Sequence, residues 1–523
     1  MSGTAQSSFS IPDDDAFIAS ALEEASIPTL MMSMIHMSGD ASLLDGTIRP
    51  AGVFINEYQG YMSEEDKATV RARALEMIKD FRDGGCKLPS SPSPATIHRM
   101  MNFIVAGDVP EDYVPMMLEE MELDGIDQRS DAWSDEVPAK ARAQHKVLVI
   151  GGGMSGVLAA YRLQEAGIPF VVIEKNFAVG GTWFENRYPG ARVDVGNHLY
   201  SYSFEPAHHW TQYFSQQKEL QQYFEGVVYH HQLEQHFRFN TEVTGAVFDE
   251  VSKEWTVNTI DKDGVEEQYV ANSVISAVGQ LNRPVLPDIP GVDSFVGQWC
   301  HSAAWDDSID CRGKKVVVVG SGASAFQLVP TIAGDVGQLT VFQRSAPWMF
   351  ENPIYHEEVP QGKKWCLQNL PFYTRWFRFL IFWPACDGAY DTVFVDPEWP
   401  HQERSINEMN DFVYQMFFDH IKGQVGDDEE LLKKVTPDYA PMGKRTLQDN
   451  GSWLSALKRD NVDLVTQGVA SVSAGGVTAS DGTFYPADIV IYATGFETDK
   501  FLWPMEIKGR GGKLLSDKWG IEP

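Results

Sequence analysis

The chain has 523 residues, 73 of them acidic and 42 basic, for a formal charge of -31. That balance argues against a nucleic-acid binder and against a binder of anionic membranes, since both want a basic face, while it leaves room for local phosphate pockets. Hydrophobic content of 43% and charged content of 22% are those of a globular protein, and the length predicts about three domains. Five scattered cysteines (Cys86, Cys300, Cys311, Cys366, Cys386) form no C-x-x-C pair. This predicts a reducing compartment, with no disulfide framework and no zinc site. The opening "MSGTAQSSFSIPDDD" lacks a basic region followed by an apolar run, so no secretory signal is read and a cytoplasmic protein is expected.

Residues 1–140 are Met-rich and acidic. In "DDAFIASALEEASIPTLMMSMI" and "SEEDKATVRARALEMIKDF" apolar residues recur three and four apart, which predicts amphipathic helices. A helical accessory unit is expected here, with its methionines as core filler and a homodimer contact as its candidate role. The most apolar run further on, "WFRFLIFWPA", is too short to span a membrane and carries Arg378, so a buried helix is expected.

At Lys146 the texture changes. "KVLVIGGGMSGVLAAYRLQEAGIPFVVIEKN" reads as strand, glycine turn, helix and strand, and "KKVVVVGSGASAFQLVPTIAGDVGQLTVFQRSAPW" repeats the pattern. Two such units predict an α/β protein with two Rossmann-type dinucleotide-binding domains behind an N-terminal helical extension. The first domain is read over 141–290, with a β-meander inserted and a return to a buried strand at "SVISAVG". The second is read over 291–485, with a helical insertion over about 350–440. Residues 486–523, opening on the strand "ADIVIYATGF", are read as the return to the first domain.

Gly151, Gly153 and Gly156 form G-x-G-x-x-G between strand and helix. Gly151 allows the tight turn, Gly153 lets the backbone approach a pyrophosphate, and Gly156 permits close helix–strand packing. The helix N-terminus supplies free N–H groups to the phosphates. Glu174, 23 residues after Gly151, can accept hydrogen bonds from ribose hydroxyls. The second loop has Gly320, Gly322 and Ala325. The same 23 steps from Gly320 lead to Gln343, followed by Arg344. A carboxylate there would repel a 2′-phosphate, whereas Arg344 would bind one. The first site therefore wants FAD or NAD and the second NADPH. With no redox cysteine pair to accept electrons, a flavin in the first site is the economical choice.

"FVGQWCHSAAWDD" places Phe295, Gly297, His301, Trp305 and Asp306 in the order F-x-G-x-x-x-H-x-x-x-W-D, just before the second glycine loop. With "GGTWFENRYPGARVD" (180–194), this resembles the fingerprints of the Baeyer–Villiger monooxygenases, flavoproteins that insert oxygen beside a ketone carbonyl. The helical stretch before the first loop resembles, more loosely, the extension of the 4-hydroxyacetophenone monooxygenase group, which implies aryl ketones. The resemblance implies FAD contacts at Ser155, Thr182, Trp183, Phe184, Glu185, Arg192 and Tyr200. It implies NADPH contacts at Ser321, Ala323, Ser324, Gln327, Ser345 and Lys444. Arg445 would sit beside the flavin C4a as the cation that stabilises a peroxyflavin and the tetrahedral adduct, with Asp194 paired to it. The tryptophan motif is expected to act as a hinge between the nucleotide domains, with Phe295 and Trp305 packing, Gly297 relieving the turn and His301 bonding backbone.

The products implied are esters or lactones from a small hydrophobic ketone and O2; an N- or S-oxygenating flavin monooxygenase is the neighbouring alternative. Members of the family continue beyond "SDKWGIEP". The chain is therefore expected to be a fragment or a shortened protein, and a non-catalytic nucleotide-binding remnant stands as the rival class.

Overall fold

The computed structural model describes residues 9–123, 127–130, 133–134 and 137–519. Residues 1–8 of the opening stretch and the end of "SDKWGIEP" lie outside them. The chain opens with α1 (Asp15–Leu22), α2 (Ile27–Ser38), α3 (Glu64–Asp83), α4 (Pro94–Val105) and α5 (Tyr113–Met121). Asp14, Ser63 and Ser93 cap α1, α3 and α4 by accepting first-turn N–H bonds, which satisfies donors a helix start otherwise leaves orphaned. Helix α2 is buried along almost its whole length, including Met31, Met32, Met34 and Met37. A helix apolar all round needs cover on every side.

A short α6 (Ala139–Gln144) leads into β1 (Val147–Ile150), α7 (Met154–Glu165) and β2 (Phe170–Ile173). After α8 (Thr182–Glu185) and α9 (Gln217–His230) come β3 (Phe237–Arg238), β4 (Thr241–Asp249), β5 (Glu254–Asp261), β6 (Glu266–Ala271) and β7 (Ser273–Ser276). The first sheet is parallel, in the order β3-β2-β1-β7. Strands β4, β5 and β6 form the antiparallel meander. One expectation fails here. "SVISAVG" is the edge strand β7 rather than a buried one, and Ile275 is 37% exposed.

The second unit begins with β8 (Gln298–His301), β9 (Lys315–Val319), α10 (Ala323–Ile332), β10 (Gln338–Phe342) and β11 (Met349–Glu351). The insertion supplies α11 (Gln361–Asn369), α12 (Tyr373–Ala385), α13 (Glu408–Val425) and α14 (Glu429–Val435). Then follow β12 (Leu447–Asp449), α15 (Ser452–Leu457), β13 (Val462–Val465), β14 (Val469–Ser473), β15 (Gly476–Ala479) and β16 (Phe484–Pro486). The described chain ends with β17 (Ile489–Tyr492), β18 (Glu506–Lys508) and α16 (Leu515–Trp519).

The second sheet is parallel in the order β13-β10-β9-β17-β8. This corrects the boundary read at 486. "ADIVIYATGF" supplies β17, which lies between β9 and β8 in the second domain. All four of its residues are buried, as in a central strand covered on both faces. The chain regains the first domain only at β18, which adds to the meander beside β4.

The insertion divides between two cores. Tyr373, Trp376 and Phe377 of α12 share one core with α1, α2 and α4, so the extension's apolar faces are covered from within the same chain. Val413, Phe417 and Ile421 of α13 join the second sheet's core instead. Helix α12 is the run "WFRFLIFWPA", and its Arg378 is buried against Glu120 at 2.7 Å. No helix among the described residues is long and apolar enough to cross a membrane.

Candidate active site

The two glycine turns have nearly the same geometry. Gly151 and Gly320 hold φ of 102° and 121°, a region open to glycine and closed to most L-residues. A Cβ at Gly151 would stand 2.6 Å from the Ala277 carbonyl oxygen, and one at Gly320 2.3 Å from that of Ala493. Gly153 and Gly322 occupy the N-cap positions of α7 and α10, and neither helix has a side-chain cap. Both helix starts thus present uncapped N–H groups, suited to a pyrophosphate. A Cβ at Gly322 would meet nothing within 4 Å, so the groove in front of α10 is open.

The first turn opens on a cleft of about 200 Å³ lined by Gly151, Gly153, Ser155, Glu174, Thr182, Trp183, Glu185 and Tyr200. Glu174 is buried. Its Oε2 accepts from the Gly152 N–H at 2.6 Å and its Oε1 from the Asn176 N–H at 2.8 Å. Burial pushes its carboxyl above the usual range, against the pull of these two N–H bonds. Trp183 Nε1 donates to Tyr200 Oη at 3.1 Å, which fixes the two rings edge to face. Glu185 accepts from Lys175 at 2.9 Å.

The second turn opens on a cleft of about 750 Å³ lined by Gly320, Ser321, Gly322, Ala323, Arg344, Ser345, Lys444 and Arg445. Ser321 Oγ donates to the Ser345 carbonyl at 2.9 Å, tying the glycine turn to the end of β10. Lys444 Nζ lies 4.2 Å from the centre of the Tyr439 ring. Arg445 reaches out of this cleft to the Asp194 carboxylate, so one ion pair links a residue near β12 to the loop after α8.

Several predicted contacts lie elsewhere. Arg192 lines neither cleft: its guanidinium is buried, donates to the Tyr355 carbonyl at 2.9 Å and lies over the Tyr355 ring. Phe184 packs edge to face against Phe177, outside the first cleft. Gly156 is buried, with room for a Cβ only 1.9 Å from the Gly151 carbonyl oxygen, in keeping with a packing role. Ala325 is core, and Ser324 faces Tyr188. Gln327 belongs to the junction between the units: it accepts from Tyr188 Oη at 2.8 Å and donates to the Arg192 carbonyl at 3.0 Å.

The tryptophan motif is not a free linker. Residues 298–301 are strand β8, paired in full with β17, so the expected hinge is a strand of the second sheet. Phe295 joins the core that holds Val317 and Val319, and Trp305 the core that holds Val316 and Val318. Alternate residues of β9 face opposite sides, so the two aromatics pin opposite faces of the sheet and do not pack on one another. Gly297 serves close approach rather than a turn: a Cβ would stand 2.4 Å from the Asp488 carbonyl oxygen. His301 Nδ1 accepts from the Ala303 N–H at 3.0 Å, and burial holds the imidazole below the ordinary His value. Asp306 accepts from the Ser308 N–H at 2.9 Å in an exposed turn.

Sequence reasoning missed two groups of lining residues. Phe501, Trp503 and Met505, on the segment leading to β18, wall the first cleft beside Val243. Their signal was an aromatic cluster with no periodicity. Thr494 and Gly495, just after β17, line the second cleft, and "ATGF" was the available sign.

Residues 148–364 match the family described as pyridine nucleotide-disulphide oxidoreductase. An uncharacterised monooxygenase of Sinorhizobium fredii is 35% identical over 503 residues, covering 96% of this chain and 75% of its own length. A Baeyer–Villiger monooxygenase of Streptomyces coelicolor is 36% identical over 375 residues, 72% of this chain and 68% of that protein. Among solved structures, OTEMO in complex with FAD and NADP superposes with a TM-score of 0.63 at 28% identity, over 73% of this chain and 77% of that one.

Proposed function

Because the chain belongs to the Baeyer–Villiger monooxygenase family, we propose that it holds FAD in the cleft before α7 and NADPH in the cleft before α10, and converts ketones to esters or lactones. The balanced reaction consumes one ketone, one O2, one NADPH and one proton. It yields the ester, NADP+ and water. The substrate class in this proposal is aryl ketones, and the oxygenating species is the one expected above at the flavin C4a.

The observation that carries the reading is the Arg445–Asp194 pair. Arg445 lines the second cleft, and its carboxylate partner comes from the loop that follows the first cleft's wall. A fixed cation between two dinucleotide sites suits a reaction in which negative charge develops on oxygen. Loss of such a donor can slow a reaction by about 10²–10³-fold. FAD, when bound, supplies hydride acceptance and oxygen activation. The chain's own residues do the rest: the two uncapped helix starts take the pyrophosphates, Glu174 takes ribose hydroxyls, and Arg344 with Lys444 takes the 2′-phosphate. The Trp183–Tyr200 pair gives the flavin an aromatic wall.

The test is the visible absorbance of the purified chain with FAD, before and after NADPH is added without oxygen, followed by product analysis in air. A flavin spectrum that bleaches, then an ester from an aryl ketone, is the expected result. A protein that takes up no flavin, or that yields only sulfoxide from a sulfide and no ester from any ketone, would overturn the reading.

A further inference from the structure

The loop between α2 and α3 carries the N-terminal extension into the neighbourhood of the Asp194–Arg445 pair. Ile55 packs against the core of the second nucleotide domain, far in sequence from any residue of that domain. Next to it, Asn56 sits at φ of 66°, a left-handed conformation that Asn tolerates better than most residues. The side chain that this turn projects is not idle. Asn56 Nδ2 donates to Gln448 Oε1 at 2.9 Å. The same Gln448 oxygen accepts from Nδ2 of the fully buried Asn352. Gln448 Nε2 in turn donates to the backbone carbonyl of Asp194. Tyr58 Oη, from the same extension loop, donates to Asn56 Oδ1 at 3.3 Å.

This chain of amides has a direction. Two N–H donors, from Asn56 and Asn352, converge on the oxygen of Gln448, so its amide nitrogen must face Asp194. Turning that amide over would set its NH2 against two other donors and its oxygen against the Asp194 carbonyl. The loop that bears the Asp194 carboxylate is therefore held by Gln448, whose amide is oriented in turn by donors from Asn56 of the extension and from Asn352. Sub-ångström placement of a catalytic cation's partner is what such supporting bonds achieve.

We propose that Asn56 is a positioning residue for the Asp194–Arg445 pair, so that the N-terminal extension completes the oxygenation site. The inference rests on the reading of Arg445 as the cation of that site. With the pair misplaced, NADPH would be spent without oxygenating the ketone: NADPH, O2 and a proton would give NADP+ and H2O2, with no ester.

The experiment compares Asn56→Asp, Asn56→Ala, Gln448→Glu and Arg445→Ala with the parent FAD-loaded enzyme. It measures flavin content, ester formed per NADPH consumed, and peroxide. Asn56→Asp keeps shape and removes the donor. It is expected to keep the parent's flavin content while ester per NADPH falls at least five-fold, with peroxide making up the balance. Gln448→Glu, which removes the donor to Asp194, is expected to behave alike. If Asn56 merely fills space, Asn56→Asp will couple like the parent, and the proposal is overturned. It is also overturned if any loss tracks lost flavin alone. Retained ester formation in Arg445→Ala would remove the parent reading and this one with it, whereas a parent enzyme that makes ester, an inactive Arg445→Ala and a coupled Asn56→Asp would refute the positioning role alone.

Discussion

Arg192 and Asp194 stand two residues apart in one motif and do different things. Arg192 is buried across the junction on the Tyr355 carbonyl, while Asp194 holds Arg445 at the second cleft. Both are charged, and sequence spacing treats them alike. What separates them is where the far partner lies, and Tyr355 is 163 residues away from Arg192. Glycines are more legible, because their requirement is local. Gly156 must be small since a Cβ would come within 1.9 Å of the Gly151 carbonyl oxygen, a backbone atom with nowhere to go. Gly156→Ala is therefore expected to displace the turn and to yield protein without flavin, read as the absorbance ratio of the purified sample. Overpacking of this kind costs about 1–3 kcal/mol or more, so a lowered melting temperature should accompany the loss. A variant that retained stoichiometric flavin would refute the packing role.

Among elements, the segment from β17 to β18 departs furthest from the sequence reading. Read as a simple return to the first domain, it is two pieces with different allegiances. Strand β17 completes the second sheet, and only β18 reaches the first domain's meander. Between them the chain crosses from one domain to the other along the mouth of the first cleft. Phe501 and Trp503 are there 43% and 42% exposed, large apolar surfaces turned toward a dinucleotide site. They share the lining of that cleft with Val243, Lys175 and Glu174, so with the ribose on Glu174 as proposed, these rings are the aromatic surface offered to the adenine. Stacking of a base on an aromatic ring is worth about 1–3 kcal/mol. Trp503→Ala should thus weaken FAD binding roughly ten-fold, with Trp503→Phe restoring most of it. A titration of flavin fluorescence checks this, and equal affinity in Trp503→Ala would count against the assignment.

At the scale of the whole molecule, the extension is stitched to the rest by charge as well as by its methionine core. Glu120, on α5, lies 2.7 Å from Arg378 and 3.4 Å from Arg375 of α12, and 3.1 Å from Arg129. Burial pushes its carboxyl up, and the positive field of Arg378 and then Arg375 outweighs that, so it titrates below the ordinary Glu value. A depressed carboxyl stabilises the fold above its unfolded value of 4.5, and the contribution disappears as pH falls through the lower folded value. Removing one member of a fully buried ion pair costs about 3–5 kcal/mol, and this partly exposed cluster lies below that range. Glu120→Gln should therefore lower the melting temperature clearly at pH 6, and the gap from the parent should narrow toward pH 3. An equal gap at both pH values would mean that the charge is not what holds these elements together.

Much of the architecture was legible because its signals are local. Two glycine turns between apolar strands and helices, an acid after the first and Gln343-Arg344 after the second, and three-and-four periodicity before residue 140 each depend on neighbours a few residues away. So the pair of Rossmann-type units, the helical extension and the buried helix "WFRFLIFWPA" could be read directly. The tryptophan motif was legible as a signature but not as a structure. Whether Phe295 and Trp305 meet depends on which side of β9 each one packs. The sheet membership of "IVIY", the edge position of β7, the pairing of Asp194 with Arg445 against the burial of Arg192 on Tyr355, and the reach of Asn56 to Gln448 are all contacts between residues distant in sequence. Periodicity reports that a residue is to be buried; only the folded chain decides against what.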